Sequence, residues 1–329
     1  MKVVVGISGG VDSAVAAARL VKRGFDVTGV FMDIGLTDYG RAEGVCRTLG
    51  IPLMISDARD ELENNVVKPF ITSYRAGTTP NPCVLCNPVV KYPTLLKAAD
   101  SIGAEYIATG HYAGTVETDG ETFLRQGISG RDQSYMLYRL SPETLKRCLF
   151  PIGDTPKDVV RAEAAESGLE IADAPDSMEI CFIPDGDYAA FIKEKSGGMP
   201  EGDVVDAEGR VTGRHGGLCG YTVGQRRGLG TAGAGRMYVT AVDTVNNRVV
   251  IGPEKLLYKE KIELRDVIFR GTPGMELDVK IRHSRVSYRA VFDGKSGVEF
   301  TGGPARAPSP GQSAVFYKDG IVLGGGIIC

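Results

Sequence analysis

No stretch of this chain is apolar for long enough to span a bilayer, and no cleavable leader pattern precedes the strand-like Lys2-Val3-Val4-Val5. A cytoplasmic address is therefore the expectation, and a membrane partner is not. Strong charge of either sign is missing too. The net charge is −3 and the sequence pI is about 5.8, whereas a protein that coats nucleic acid without selectivity is usually basic. Any RNA contact must come from local patches. Cysteines are few and odd in number, seven in all, which argues against a secreted disulfide scaffold. Reduced thiols, catalytic cysteines or a metal site remain. There is no internal repeat and no low-complexity tract. What is present, 43% hydrophobic and 24% charged residues over 329 positions, describes a soluble globular protein too long for one small core. Two or three domains are expected.

The chain is organised around Gly6-Ile7-Ser8-Gly9-Gly10-Val11-Asp12-Ser13. A β-branched run precedes it, and Ala14–Val21 follows as a helix of strong formers closed by Gly24. Gly9 and Gly10 admit positive φ and let backbone N–H groups approach a phosphate, while the helix adds the positive end of its dipole. Ser8 and Ser13 can donate hydroxyls, and Asp12 either holds Mg²⁺ or orders the loop. An ordinary strand-to-helix turn leaves the agreement of strand, small residues and two serines unexplained. A Walker A loop is excluded, because no Gly-Lys-Ser/Thr follows. The string Ser-Gly-Gly-Val-Asp-Ser is similar to the PP-loop of ATP pyrophosphatases, which cleave ATP between its α- and β-phosphates to adenylate a substrate.

Strands and helices then alternate: a strand over Phe25–Met32, a helix over Gly40–Leu49, a strand over Ile51–Ser56, a helix over Asp57–Tyr74, a helix over Pro93–Ile102 and a strand over Glu105–Thr109. That order predicts a parallel sheet, with ligands at the carboxyl ends of its strands, where Ser8–Ser13, Met32-Asp33 and Gly110-His111 converge. Prolines break up residues 76–88, so Cys83-Val84-Leu85-Cys86 is expected on a rigid loop, an exposed setting suited to a chemical role. One such pair is not a closed zinc site, and a thioredoxin-like pair would open a helix. Asp119-Gly120 signals a hairpin. Thr155 is expected to cap a helix that Pro156 begins and Gly168 ends. Cys181 stands in an apolar, strand-like stretch, where core packing is the plain reading. Cys46 and Cys148 fall on helical patterns, Cys219 in a glycine-rich loop and Cys329 at the terminus; none is expected to be catalytic. Beyond residue 186 short β-patterned runs alternate with turns, as in small antiparallel domains or barrels. Gln225-Arg226-Arg227-Gly228 and Lys280–Arg285 are basic islands, either solvated faces or phosphate contacts.

Taken together, Ser8–Ser13, Thr79–Asn87, Ala108–Ala113, Arg131–Leu137, Asp176–Ile183, Gly220–Gly230 and Pro308–Tyr317 resemble the tRNA-specific 2-thiouridylase family, over nearly the whole chain. The resemblance implies an α/β fold: a PP-loop parallel-sheet domain of adenine nucleotide alpha hydrolase type (1–186), a small mainly-β central domain (187–256) and a C-terminal β-barrel (257–329). It implies conversion of the wobble uridine of tRNAs for Glu, Gln and Lys to 2-thiouridine, using ATP and Mg²⁺; the sulfur donor stays open among a cysteine desulfurase, a relay protein and free sulfide. ATP would be held by Gly6, Ile7, Ser8, Gly9, Gly10, Val11, Asp12 and Ser13, with Met32 and Gly110 at the adenine and ribose side. Cys86 matches the nucleophile and Cys181 the persulfide carrier. Asn81, Pro82 and Cys83 match the segment touching the target base, and His111, Arg131, Asp132, Gln133, Arg282, His283 and Gln312 match tRNA contacts.

The chemistry asks for these parts. Attack of uracil O2 on the α-phosphate turns a poor leaving group into AMP; persulfide sulfur can then attack C2 while a second thiol resolves the persulfide. The base must leave its stack to be reached. One departure matters: many family members have Asp, assigned acid/base work, where this chain has Cys83, and a thiol transfers protons differently. Cys83, Cys86 and Cys181 could instead hold a [4Fe–4S] cluster with one open iron, so relay and cluster both stand. A PP-loop synthetase acting on a small molecule is the nearest rival, and a non-catalytic RNA-binding or cluster-carrier protein a rival of another class.

Overall fold

The computed structural model describes residues 1–36, 38–169, 171, 180–183, 185–229 and 236–329. Two compact units share the chain: Met1–Val66, Cys83–Phe182 and Asp319–Val322 form one, and Val67–Pro82, Ile183–Lys318 and Leu323–Cys329 the other.

In the first unit β1 (Lys2–Gly6), α1 (Val11–Lys22), β2 (Asp26–Asp33), α2 (Gly40–Leu49), β3 (Leu53–Asp57) and the short α3 (Arg59–Leu62) follow one another. The chain then makes a π-helical turn, Glu63–Val67, and passes through α4 (Lys68–Arg75) of the second unit. So the helix expected over Asp57–Tyr74 forms as one continuous helical run from Arg59 to Arg75, with a π-helical turn inside it. It returns through α5 (Pro82–Cys86), α6 (Tyr92–Ser101), β4 (Tyr106–Ala108), β5 (Ala113–Thr118), β6 (Glu121–Gln126), α7 (Pro142–Lys146), β7 (Cys148–Leu149) and α8 (Lys157–Glu166). The parallel sheet runs β3-β2-β1-β4-β7. Val3, Val4 and Val5 are fully buried, the continuous apolar run of a strand covered on both faces. Successive strands leave β1 first to one side and later to the other, so its carboxyl end is the switch point where α/β sheets bind ligands.

Arg19 ties α1 to α8 by a two-pronged bond to Glu163 (2.7 and 2.6 Å) and bonds to Pro151 O and Thr155 Oγ1. Thr155 therefore does not cap α8, as the sequence suggested; Pro156 occupies the cap position. Cys148 lies on strand β7 rather than on a helix. The β5–β6 hairpin turns at Asp119 (φ 52°) and Gly120 (φ 80°), both left-handed as a tight two-residue turn requires.

The second unit contains α9 (Tyr188–Ser196) and a four-stranded sheet of β8 (Gly202–Val205), β9 (Val211–His215), β10 (Met237–Asp243) and β11 (Arg248–Pro253), ordered β10-β11-β8-β9. It is not wholly antiparallel, because β11 pairs with β8 in parallel. Its core gathers Val204, Leu218, Val239, Val249 and Ile251. A two-stranded ribbon joins β12 (Tyr258–Lys259) to β17 (Ala305–Arg306). The remaining strands, β13 (Lys261–Phe269), β14 (Glu276–Lys280), β15 (Tyr288–Phe292), β16 (Gly297–Phe300), β18 (Ser313–Lys318) and β19 (Ile321–Ile328), are ordered β13-β16-β15-β14-β18-β19. Pairing of Leu264 with Ile328 and of Phe269 with Gly324 closes them into a six-stranded β-barrel. Phe269, Phe292 and Phe316 fill it, with ring centroids 5.1 to 5.7 Å apart. Gly324 is required at the seam, where a Cβ would stand 2.0 Å from Ile268 O.

Candidate active site

The glycine loop leaves the carboxyl end of β1, pinned by Ile7 N–H donating to Val30 O at 2.8 Å. Ile7 and Val11 are buried and anchor its two ends. Gly9 takes φ 77°, and a Cβ there would stand 2.6 Å from that of Arg41. Gly10 occupies the N-cap of α1, leaving the first-turn N–H groups of that helix without intrahelical partners. The serines fold the loop on itself: Ser13 Oγ donates to Gly10 O at 2.9 Å and accepts from Ser8 N–H at 3.2 Å, while Ser8 Oγ accepts from Gly10 N–H at 3.3 Å. Gly110 presses its backbone on the helix start, so that a Cβ would lie 2.6 Å from both Asp12 C and Ser13 N. Met32 sits half-buried near the end of β2.

Of the two roles open to Asp12, ordering the loop is the one with partners in place. Its Oδ1 accepts from Tyr112 OH and from Lys157 Nζ, both at 2.7 Å. Neither partner was singled out from the sequence. Lys157 carries a signal nonetheless: it opens α8, where a cation opposes the helix dipole, so only an outside partner rewards it.

The Cys-x-x-Cys segment is not the irregular loop expected. Pro82–Cys86, a π-helical turn over Asn87–Lys91 and Tyr92–Ser101 form one continuous helical run. Pro82 falls in the first turn of the run, where a missing N–H costs nothing, and Pro93 comes directly after the π turn. Pro88 is absorbed by the wider π turn, in which Tyr92 N–H reaches back to Asn87 O. The cysteine pair thus does open a helix, and that feature no longer separates it from thioredoxin-like pairs. Cys83 and Cys86 stand one turn apart, both half-buried. Cys181 lies in a turn rather than a strand and is exposed; Asp176–Glu179 beside it fall outside the described residues, as does Gly230.

Burial raises the pKa of Cys83 and of Cys86, and the nearby Lys91 charge opposes the rise in both. Although the residue is exposed, the protein crowding the Cys181 thiol pushes it up to about 11; the charges of Cys86 and Cys83 add to this and Lys91 again opposes. Lys91 is thus one cation common to three thiols. Burial, then Lys91, holds the His111 imidazole well below its ordinary pKa and so neutral; its Nδ1 bonds Thr109 Oγ1 at 2.8 Å and its ring stacks on Tyr92. Among the described residues no three His, Cys, Asp or Glu side chains gather as a metal-ligand set. As placed, Cys83, Cys86 and Cys181 do not fit a cluster.

Asp132 accepts from Gly127 and Ser134 N–H groups and from Gln126, and Gln133 accepts from Tyr112 N–H, so both brace their own turn. Arg131 is exposed. Asn81, Pro82, Arg282, His283 and Gln312 belong to the second unit, where Arg282 donates to Ala307 O and His283 is exposed. Among the described residues no helix is long and apolar enough to cross a membrane.

A glycine loop at the switch point of a parallel sheet, running from β1 into α1 and carrying Ser-Gly-Gly-Val-Asp-Ser, is the arrangement of the PP-loop class of ATP-using proteins. Comparison with known proteins is more specific. Residues 1–185 match the family described as tRNA methyl transferase HUP domain, 189–253 its PRC-barrel domain and 260–328 an aminomethyltransferase beta-barrel domain. The chain is 42% identical to the tRNA-specific 2-thiouridylase MnmA of Clostridium acetobutylicum over 352 aligned positions, covering 99% of each chain. It is likewise 42% identical to that of Acetivibrio thermocellus, again covering 99% of each. Among solved structures, a 4-thiouridine synthetase bound to RNA and ATP matches 53% of this chain and 42% of its own length, at 21% identity and a TM-score of 0.37. The chain belongs to the tRNA-specific 2-thiouridylase family.

Proposed function

We propose that this protein is an ATP-dependent tRNA-uridine 2-sulfurtransferase, working in the cytoplasm on the wobble uridine of tRNAs for Glu, Gln and Lys. The observation that carries the reading is that a phosphate-binding loop and the three thiols share one compact unit in a chain alike from end to end to 2-thiouridylases.

The first-turn N–H groups of α1 and the loop backbone receive the pyrophosphate of ATP, and Lys157, poised on Asp12, adds a cation beside it. Mg²⁺, for which the second oxygen of Asp12 is the available ligand, would neutralise further phosphate charge. Uridine O2 attacks the α-phosphorus and pyrophosphate leaves. The outer sulfur of a Cys181 persulfide, loaded by a desulfurase or relay protein, attacks C2 and AMP departs. Cys86 then attacks the Cys181 sulfur, releasing 2-thiouridine and leaving a Cys86–Cys181 disulfide that an external dithiol reduces. Asn81, Pro82 and Cys83 receive the flipped base, with His111, Arg131, Asp132, Gln133, Arg282 and His283 along the tRNA. Neutral His111 donates or accepts a hydrogen bond there without adding charge. No step runs through a cluster.

The test is anaerobic thiolation of a tRNA transcript with ATP and a sulfur source, followed by nucleoside analysis. Wild type yields 2-thiouridine, and Cys86→Ala and Cys181→Ala abolish it. A methylated nucleoside, or pyrophosphate release that answers to a metabolite instead of tRNA, refutes the assignment. Activity that follows bound iron refutes the relay.

A further inference from the structure

The stretch Gly77–Thr79 is held from several directions within the second unit. Thr78 donates its N–H and its hydroxyl to Ser73 O, at 3.0 and 2.9 Å. Gly77 (φ 73°) packs where a Cβ would stand 2.7 Å from the Thr244 methyl. Thr79 Oγ1 and Thr222 Oγ1 share a hydrogen bond of 3.0 Å. The backbone of Thr79 is clamped by the segment leading into β18: its N–H donates to Pro310 O at 2.7 Å, and its carbonyl accepts from Gln312 Nε2 at 2.9 Å. Between them Gly311 (φ 91°) lies so close that a Cβ would be 2.9 Å from Thr79 N.

Thr79 precedes Asn81 by two residues and Cys83 by four. The intervening Pro80 and Pro82 have fixed φ, so a shift at Thr79 passes along the chain rather than being absorbed by it. Resemblance makes Gln312 a tRNA contact, yet here its amide holds this segment. We propose that Gln312 is a positioning residue for thiolation: with Gly311 as a close-packed pivot, it clamps Thr79 and so sets where the chain delivers Asn81 and Pro82. The inference rests on the thiolation reading for its kinetic consequence, though the clamp itself does not depend on it.

The test uses the full chain with Gln312→Ala and Gln312→Glu, the second keeping size but losing the donor. Hydrogen exchange at the Gly77–Thr79 amides should quicken about fivefold to tenfold, the worth of one neutral hydrogen bond. At saturating tRNA, kcat should fall by a similar factor while the tRNA Kd stays within about twofold. Gly311→Ala disturbs the same clamp by another route and should reproduce both effects. Unchanged exchange at Gly77–Thr79 overturns the proposal whatever the kinetics. A raised Kd with wild-type kcat also overturns it and returns Gln312 to direct tRNA contact. Wild-type protein that makes no 2-thiouridine sinks the functional reading instead, and the exchange measurement still judges the clamp.

Discussion

Gly110→Ala is a severe test of how the nucleotide loop is built. The new methyl would lie 2.6 Å from Asp12 C, 2.6 Å from Ser13 N and 2.8 Å from Asp12 O, all backbone atoms that no rotamer change can move aside. Ordinary contact begins at 3.4 Å, so the start of α1 must retreat by about 0.8 Å or the Gly110 backbone must shift away. Such overpacking costs about 1 to 3 kcal/mol in stability. The catalytic cost is larger, since a misplacement approaching 1 Å in a positioning element is worth about tenfold to a hundredfold in rate. The assays are thermal unfolding, followed through the transition of the first unit, and tRNA-dependent pyrophosphate release as a function of ATP. Gly44→Ala is the control: within α2 nothing stands within 4 Å of its Cβ position, so it should be neutral or stabilising by up to about 1 kcal/mol. If Gly110→Ala melts and turns over like wild type, the close approach of Gly110 to Asp12 and Ser13 does not shape the loop.

Other outcomes follow from single contacts. Lys157→Met strips Asp12 of its 2.7 Å ion pair; because Asp12 is one-third exposed, water screens the loss to about 1 kcal/mol, while pyrophosphate release falls about tenfold and Lys157→Arg recovers part of it. Wild-type kinetics for Lys157→Met would remove Lys157 from the site. Burial raises the Cys46 thiol to about 11, above the roughly 8.5 of an unfolded cysteine, so the folded chain holds that proton more tightly. Its contribution to stability is complete below the unfolded value and drains away as pH climbs to about 11. Cys46→Ala should therefore flatten the fall of the melting temperature across that window, and an unaltered slope would contradict the burial argument.

Local chemistry was readable where a residue decides its own neighbourhood. Gly40–Leu49 forms a helix over those very residues because Gly50, at φ 66°, ends it in the left-handed region. Asp119-Gly120 turned the hairpin as expected, and the glycine loop sits at the end of β1 where its anion chemistry demanded. The failures came where distant partners decide. Three prolines suggested a loop at Cys83–Cys86, but a π turn accommodates Pro88 without breaking the helical run. Thr155 was spent on Arg19, a residue 136 positions away. Lys157 and Tyr112 became part of the site only because folding aims both at Asp12. Barrel closure depends on β13 meeting β19, which no short-range pattern encodes.

The clamp on Thr79 also has a consequence in time. Its partner Gln312 lies 233 residues further along the chain. At a synthesis rate of about 5 to 20 residues per second, the Gly77–Thr79 stretch emerges roughly ten to fifty seconds before the residue that will hold it. For that interval the segment leading into Cys83 and Cys86 waits on the ribosome without its anchor, with both thiols newly made beside it. A residue close to the last-made end of the chain thus sets the moment at which the Gly77–Thr79 stretch is anchored.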